Sequence, residues 1–356
     1  MFRRPSSISS TLSTAPFGRL VAVLLALLLA LAGCSGAIGS TEATSVPPGP
    51  ASASASASQA LPPTDQPSPT PAFPIDLVDD EGTTVELAEE PQRIVSLTPA
   101  ATEILFALGA GPRVVATTDF DDYPPEAVEL PDVASYTAVD VEKVIGLEAD
   151  LVIAGGNFFN PPEAIARLRS LDVPVLVVYA PDLAAVLDDI ELIGSAVGLS
   201  DTATEMTATM QAGFDDVADA TVSLVAPRTF YELDATSAIY TATDGSFLES
   251  MIELAGGDPI TTGSTTDFAI SLEKLISADP ELILLGDAAY GVTAEQVASR
   301  AGWKGMTAVE TGAIRPVNDL IVTRPGPRLV EGLRELAQAI HPDLVLPPAV
   351  PIPAVR

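Results

Sequence analysis

Between residues 93 and 179, short apolar runs alternate with stretches in which apolar positions recur every three or four residues. The first pattern fits a strand buried on both faces and the second an amphipathic helix. Arg93-Ile-Val-Ser-Leu97 reads as a strand, and residues 99–108 read as a helix closed by Gly109-Ala-Gly111. Further strands are predicted at 114–117, 151–154 and 173–179, with helices at 140–147 and 163–170. Strands and helices in this order imply a mainly parallel sheet covered by helices.

The pattern starts again at Thr229, with strands at 229–233 and 281–285 and helices at 246–254 and 272–277. One pair of segments aligns without a gap. Glu142-Lys-Val-Ile-Gly-Leu-Glu-Ala-Asp-Leu-Val-Ile153 matches Glu273-Lys-Leu-Ile-Ser-Ala-Asp-Pro-Glu-Leu-Ile-Leu284. Both read as a short helix opening on Glu-Lys, an acidic turn and an apolar strand. Between the halves, Ala203, Met206, Met210, Phe214 and Val217 fall at spacings of three or four, which predicts a helix over 202–222. At 1.5 Å per residue it is ~30 Å long, enough to join two lobes. The fold class expected is therefore α/β, with two Rossmann-like lobes bridged by one long helix. Residues 75–199 form the N-terminal lobe, 200–224 the bridge, 225–348 the C-terminal lobe and 349–356 a tail. A cleft between such lobes is a preferred place for a small molecule.

The first 74 residues have a different character. Arg3, Arg4 and Arg19 precede an apolar run of 13 residues (20–32), followed by Leu31-Ala32-Gly33-Cys34 at the cut site. A spanning helix needs about 20 apolar residues, so residues 1–33 read as a removed signal. Leu-Ala-Gly-Cys resembles a bacterial lipobox, which makes Cys34 the lipidated first residue of the mature chain. Each buried methylene of a lipid adds ~0.8 kcal/mol of membrane affinity, and two chains hold firmly. Residues 34–74 are rich in Ala, Ser and Pro and have little to bury, so they are expected to form a disordered tether.

Charge and composition remove several functions. The chain carries −31, or −34 without the three signal arginines, so nucleic acid is not an expected partner. Cys34 is the only cysteine and His341, at the end of the last helix, the only histidine. No catalytic triad, thiolate zinc site or His-rich metal site can be assembled from these. No P-loop or dinucleotide fingerprint occurs. The expectation is a protein without catalytic residues, resident metal or cofactor. The alternatives from other classes are a carboxylate-dependent surface enzyme and a purely structural surface lipoprotein.

Several segments together resemble the periplasmic-binding proteins for cobalamin, haem and iron-siderophores. They are Arg93-Ile-Val-Ser-Leu-Thr-Pro-Ala-Ala-Thr-Glu-Ile-Leu-Phe-Ala-Leu-Gly109, Asp122-Tyr-Pro-Pro125, Val141-Glu142 with Asp150-Leu-Val-Ile153, Gly245-Ser-Phe247 with Leu254-Ala-Gly-Gly257, and Arg324-Pro-Gly-Pro-Arg328. The resemblance implies a monomeric, extracytoplasmic solute-binding protein that permits little lobe closure and serves an ABC permease dimer with its ATPase subunits. It also implies that Glu142 and Glu273, the residues paired by the repeat, dock into arginine pockets of the permease. Tyr136, six residues before Glu142, matches an aromatic that packs on the ligand in cobalamin binders. Tyr123, Phe158, Phe268, Asp319 and Arg324 are further ligand-binding candidates. Flat aromatic walls suit a macrocycle. Anionic siderophores are usually gripped by arginines, and Arg324 is the one well-placed arginine, while His341 is badly placed to bind haem iron. Cobalamin or a related corrinoid is the leading solute, with ferric siderophore next and haem third; in each case the bound solute would be a metal chelate.

Overall fold

The computed structural model describes residues 73–352. Cys34, the signal and the tether up to residue 72 lie outside the described residues, as does the side chain of Phe158, whereas Phe73, assigned to the tether, packs against the core. The described chain opens with an antiparallel hairpin, β1 (Ile75–Val78) and β2 (Thr84–Leu87), absent from the periodicity reading above. Then follow β3 (Ile94–Ser96), α1 (Pro99–Leu108), β4 (Val114–Thr118), α2 (Pro125–Val128), β5 (Asp132–Ser135), β6 (Ala138–Val139), α3 (Val141–Gly146) and β7 (Leu151–Ala154). The first lobe ends with α4 (Gly156–Phe159), α5 (Pro162–Arg169), β8 (Val175–Val177) and α6 (Leu183–Ala196). Helix α7 (Ser200–Thr221) crosses to the second lobe. That lobe holds β9 (Arg228–Glu232), β10 (Ile239–Tyr240), α8 (Phe247–Leu254), β11 (Asp258–Pro259), β12 (Ala269–Ile270), α9 (Leu272–Ala278) and β13 (Leu282–Leu285). It closes with α10 (Ala294–Ala298), α11 (Thr307–Thr311), β14 (Ile314–Pro316), α12 (Asp319–Val322) and α13 (Leu329–Ile340).

The first lobe has a six-stranded sheet in the order β6-β5-β4-β3-β7-β8, parallel except for β6. The second has a four-stranded parallel sheet, β11-β9-β13-β14. The expected strand over 173–179 is shorter than its apolar run because its end turns out of the sheet. The Tyr179 amide donates to Asp80 Oδ2 of the hairpin turn at 2.5 Å.

The repeat is visible in hydrogen bonds as well as in sequence. The Arg93 amide donates to Asp150 Oδ1 at 2.8 Å and its Nε to the Leu147 carbonyl at 2.7 Å. In the second lobe the Arg228 amide donates to Glu281 Oε2 at 3.0 Å and its Nε to the Ala278 carbonyl at 3.1 Å. Strand, helix end and next strand are thus tied together in the same way in both halves.

The bridge differs from a single rod across open space. Helix α6, capped by Asp182 and not anticipated from the sequence, turns through Gly198 (φ +71°) into α7, and the two pack as a helical hairpin. A Cβ on Gly194 would lie 2.3 Å from that of Ala203, so the two helices touch there. On its other side α7 meets α13, where a Cβ on Gly213 would lie 2.5 Å from Val330 Cγ1. The side chains predicted to form the stripe, Ala203, Met206, Met210, Phe214 and Val217, are all buried. They belong to one apolar core that runs from Ile104 and Leu105 of the first lobe to Met251, Leu284 and Leu333 of the second. Each large side chain so buried contributes about 1.5–3 kcal/mol. His341 closes this region, its Nε2 lying 3.0 Å from the Gly256 carbonyl oxygen, so the lone histidine ties α13 to the turn after α8.

The Gly213 contact leads to an expected contrast. Gly213→Val should force α7 from α13 and destabilise the fold by ~1–3 kcal/mol. Gly146→Ala, in a helix with open space around its Cβ position, should be neutral or stabilising by about 0.5–1 kcal/mol. Thermal unfolding of both variants checks this, and equal melting temperatures would show that α7 and α13 separate freely.

Candidate solute-binding cleft

In open α/β sheets ligands bind beyond the carboxyl ends of the parallel strands. Here both sheets present those ends to one cavity of about 660 Å³ between the lobes. Phe120 follows β4, Tyr136 follows β5, Phe159 follows β7 and Tyr179 follows β8. From the second lobe, Tyr290 follows β13, and Asp319 and Arg324 follow β14. Tyr136 stacks on Phe120 with ring centroids 4.1 Å apart and an interplanar angle of 12°. That pair presents a broad face, and 72% of Tyr136 remains exposed. The Tyr136 phenol is pushed above its usual range by partial desolvation and by the Tyr290 phenol of the other lobe. Tyrosines from both lobes therefore line the same cavity.

Most of the polar residues of the cavity come from the second lobe. Thr243, Asp244, Ser246, Thr265 and Thr266 line it. Asp244 Oδ1 accepts from Thr261 Oγ1 at 2.5 Å and from the Gly263 amide at 3.0 Å, which fixes both loops of that wall. Asp319 accepts from the buried Tyr231 hydroxyl at 2.9 Å. Burial pushes the Asp319 carboxyl up, against hydrogen bonds from Tyr231 and Thr323 that lower it.

The residues singled out in the sequence are distributed as follows. Tyr136, Phe268, Asp319 and Arg324 line the cavity. Tyr123 does not: its ring lies under the Arg328 guanidinium, 4.2 Å from centroid to Cζ. Arg324 is in the wall but already paired, donating to Glu103 at 2.7 Å and to Asp122 at 2.6 Å. It is the single Lys, Arg or His among the described lining residues. Phe120, Phe159, Tyr179 and Tyr290 were missed, although each lies within five residues of the end of a parallel strand. That position was the signal available.

Glu142 and Glu273 sit outside the cavity, exposed, at the second position of α3 and α9. The two helix starts are built alike. Asp140 caps α3 by accepting from the Lys143 amide, and Ser271 caps α9 by accepting from the Lys274 amide. Lys143 Nζ donates back to the Asp132 carbonyl and Lys274 Nζ to the Thr262 carbonyl, each at 2.5 Å. A carboxylate at such a helix start is favoured by ~0.3–1 kcal/mol. Among the described residues no group of three or more His, Cys, Asp or Glu is placed to hold a metal ion.

Comparison with known proteins agrees with this geometry. The family model for periplasmic binding proteins matches residues 94–317. The chain belongs to the periplasmic binding protein family. The "Uncharacterized ABC transporter substrate-binding lipoprotein YvrC" of Bacillus subtilis is 34% identical to it over 279 residues, covering 77% of this chain and 88% of that one. A "Cobalamin-binding protein" of Halobacterium salinarum is 31% identical over 281 residues, covering 76% of this chain and 75% of that one. Among solved structures, the periplasmic haem-binding protein RhuT of Roseiflexus superposes with a TM-score of 0.63 at 27% identity, covering 70% of this chain and 98% of that one. This periplasmic binding protein is accordingly a transport component that captures a small-molecule solute outside the cytoplasm, and not an enzyme. Among the described residues no helix is long and apolar enough to cross a membrane.

Asp189 of α6 is also in the cavity wall, buried. Burial, then Asp80 hydrogen-bonded beside it, then Asp188 push its carboxyl up from 3.8 to about 9. A carboxyl raised on folding binds its proton more tightly in the folded state, so stability falls as pH rises between those two values. Asp189→Asn should abolish that fall and be more stable than the parent at pH 8, with little difference at pH 3.5. Denaturant melts across this range test it, and parallel pH profiles for parent and variant would show that Asp189 is ionised in the fold.

Proposed function

We propose that this periplasmic binding protein is the lipid-anchored solute receptor of an ATP-driven importer, and that its solute is cobalamin or a related corrinoid. The observation that carries the solute reading is the cavity wall. It offers aromatic faces, hydroxyls and the carboxyls of Asp189, Asp244 and Asp319, while its one cation is already held by Glu103 and Asp122. A corrin rim bears amides, which suit hydroxyls and stacked rings. Haem and citrate-like siderophores bear carboxylates, which would need a free cation. The cobalamin-binding relative at 31% identity supports the same reading. The phenols of Tyr136 and Tyr290 in the same cavity favour a second one, in which tyrosine meets the iron of haem.

Titration with cyanocobalamin, haemin and ferric citrate separates these readings. At 100 times its Kd the true solute should raise stability by ~2.7 kcal/mol. Cyanocobalamin is expected to do so, and Tyr136→Ala is expected to weaken it about tenfold through a lost stacking face, with the melting temperature of the free protein nearly unchanged. Stabilisation by haemin alone would replace the corrinoid reading with the haem one.

The name of the Bacillus subtilis relative supports both the importer and the anchor at Cys34. The like-built starts of α3 and α9 support permease docking, because they place one exposed glutamate at an equivalent position in each lobe. A permease with two subunits could meet both. Removing one partner of a buried interfacial charge pair typically costs ~2–5 kcal/mol. Glu142→Ala with Glu273→Ala should therefore cripple uptake in cells while solute affinity and fold are kept. Cys34→Ser should move the protein from the membrane to the soluble fraction without unfolding it. Normal uptake by the double variant would end the docking reading, and a Cys34→Ser protein still in the membrane fraction would end the anchoring one.

A further inference from the structure

The contact between Arg324 and the first lobe belongs to a larger cluster. Glu103, on α1 and only 4% exposed, accepts from Arg324 Nη1 at 2.7 Å, from Arg328 Nη2 at 2.6 Å and from Arg328 Nε at 2.8 Å. Asp122 accepts from Arg324 Nη1 at 2.6 Å, and Tyr123 lies beneath Arg328. Burial pushes the Asp121 and Asp319 carboxyls up, and Arg324 only partly opposes that rise. Two arginines from the second lobe are thus paired with two carboxylates of the first, Glu103 and Asp122. Glu103 does not itself line the cavity, whereas Arg324 does.

A buried glutamate that receives three hydrogen bonds from two arginines does more than join the lobes. It decides how much positive charge the cavity wall shows to a solute. We propose that Glu103 is the positioning residue that sets the charge selectivity of this cleft, holding Arg324 in a neutral cluster so that amide-bearing solutes are accepted and carboxylate-bearing ones are rejected. Without the negative charge at Glu103, Arg328 loses its ion-pair partner and Arg324, which lines the cavity, keeps only the exposed Asp122. A solute carboxylate is then the natural partner.

The test compares two solutes of nearly identical shape, cyanocobalamin and a cyanocobalamin monocarboxylate in which one side-chain amide is hydrolysed. The parent is expected to prefer the amide form. In Glu103→Gln that preference should shrink by about tenfold or more, the effect of one charge-assisted hydrogen bond, and the change should diminish in high salt. A merely structural role would weaken both solutes alike and leave their ratio unmoved. Asp122→Asn, at a side chain 44% exposed, loosens the same arginine at less risk to the fold and should move the ratio in the same direction. It carries the test if Glu103→Gln does not fold. The inference rests on the corrinoid reading only for this probe pair. If the parent binds neither corrinoid, that reading fails, and the same ratio is measured with haemin and its dimethyl ester, where the ester should be preferred by the parent and the diacid should gain in the variants. An unchanged ratio in the folded variants, or a parent that already prefers the carboxylate form, overturns the proposal.

Discussion

The structure depends on the burial of one helix on two sides. Helix α7 is 22 residues long, and its apolar stripe, Ala203 through Val217, contacts neighbours from both lobes. Glycine at 194 and 213 lets α6 and α13 come close enough that no solvent layer separates the lobes there. Each lobe keeps a smaller apolar cluster of its own on the far face of its sheet, but the largest cluster is shared between them. Opening the cleft widely would expose that core, at about 25 cal/mol for each Å² of apolar surface. The cleft is consequently held at a set width, and solute selection falls to the chemistry of its walls.

That chemistry follows from where the strands end. Parallel sheets in both lobes point their carboxyl ends at the same space, so the loops after β4, β5, β7, β8, β13 and β14 all converge on it. Aromatic side chains on those loops give area without charge. The cavity wall keeps part of the chain's acidic excess, with Asp189, Asp244 and Asp319 beside the single Arg324, whose charge is already matched by Glu103 and Asp122. A charged pair removed from water is costly unless its hydrogen bonds are complete, and Glu103 meets that condition with three. The same cluster fastens α1 to the segment before α13, so lobe geometry and wall charge share their residues.

Much of this was legible in the sequence, for identifiable reasons. The longer strands and helices of the two halves were found because burial on one or two faces imposes a period, and the α7 stripe by the same rule, while α6 and the short elements such as β5, β6 and β10 to β12 were not. The repeat at Glu142 and Glu273 was readable because both segments align without a gap as Glu-Lys, an acidic turn and an apolar strand. Other features depend on contacts distant in sequence. The hairpin at 75–87 has only four-residue strands, and its turn is fixed by Asp79, whose carboxylate binds the Glu81 and Thr83 amides and reaches Arg169 ninety positions away. Arg324 was read as the arginine well placed for an anionic siderophore, and its pairing with Glu103, 221 residues earlier, was not visible. Tyr123 was placed with the ligand because it neighbours the right motif, yet Arg328 covers its ring. Pairings of this kind have no local signature.

The claim that the lobes form one body can be measured directly. Cys34 is the chain's only cysteine, so spin labels can be set at Glu142→Cys and Glu273→Cys in a Cys34→Ser background. Pulsed dipolar spectroscopy would then report the distance between the two lobes with and without a solute that raises the melting temperature. A shared core requires the distance to stay the same to within about 1 Å, the range of backbone change in preorganised complexes. A shortening of several ångströms on binding would contradict it, since it would mean that the lobes close around their solute and that α7 is a hinge.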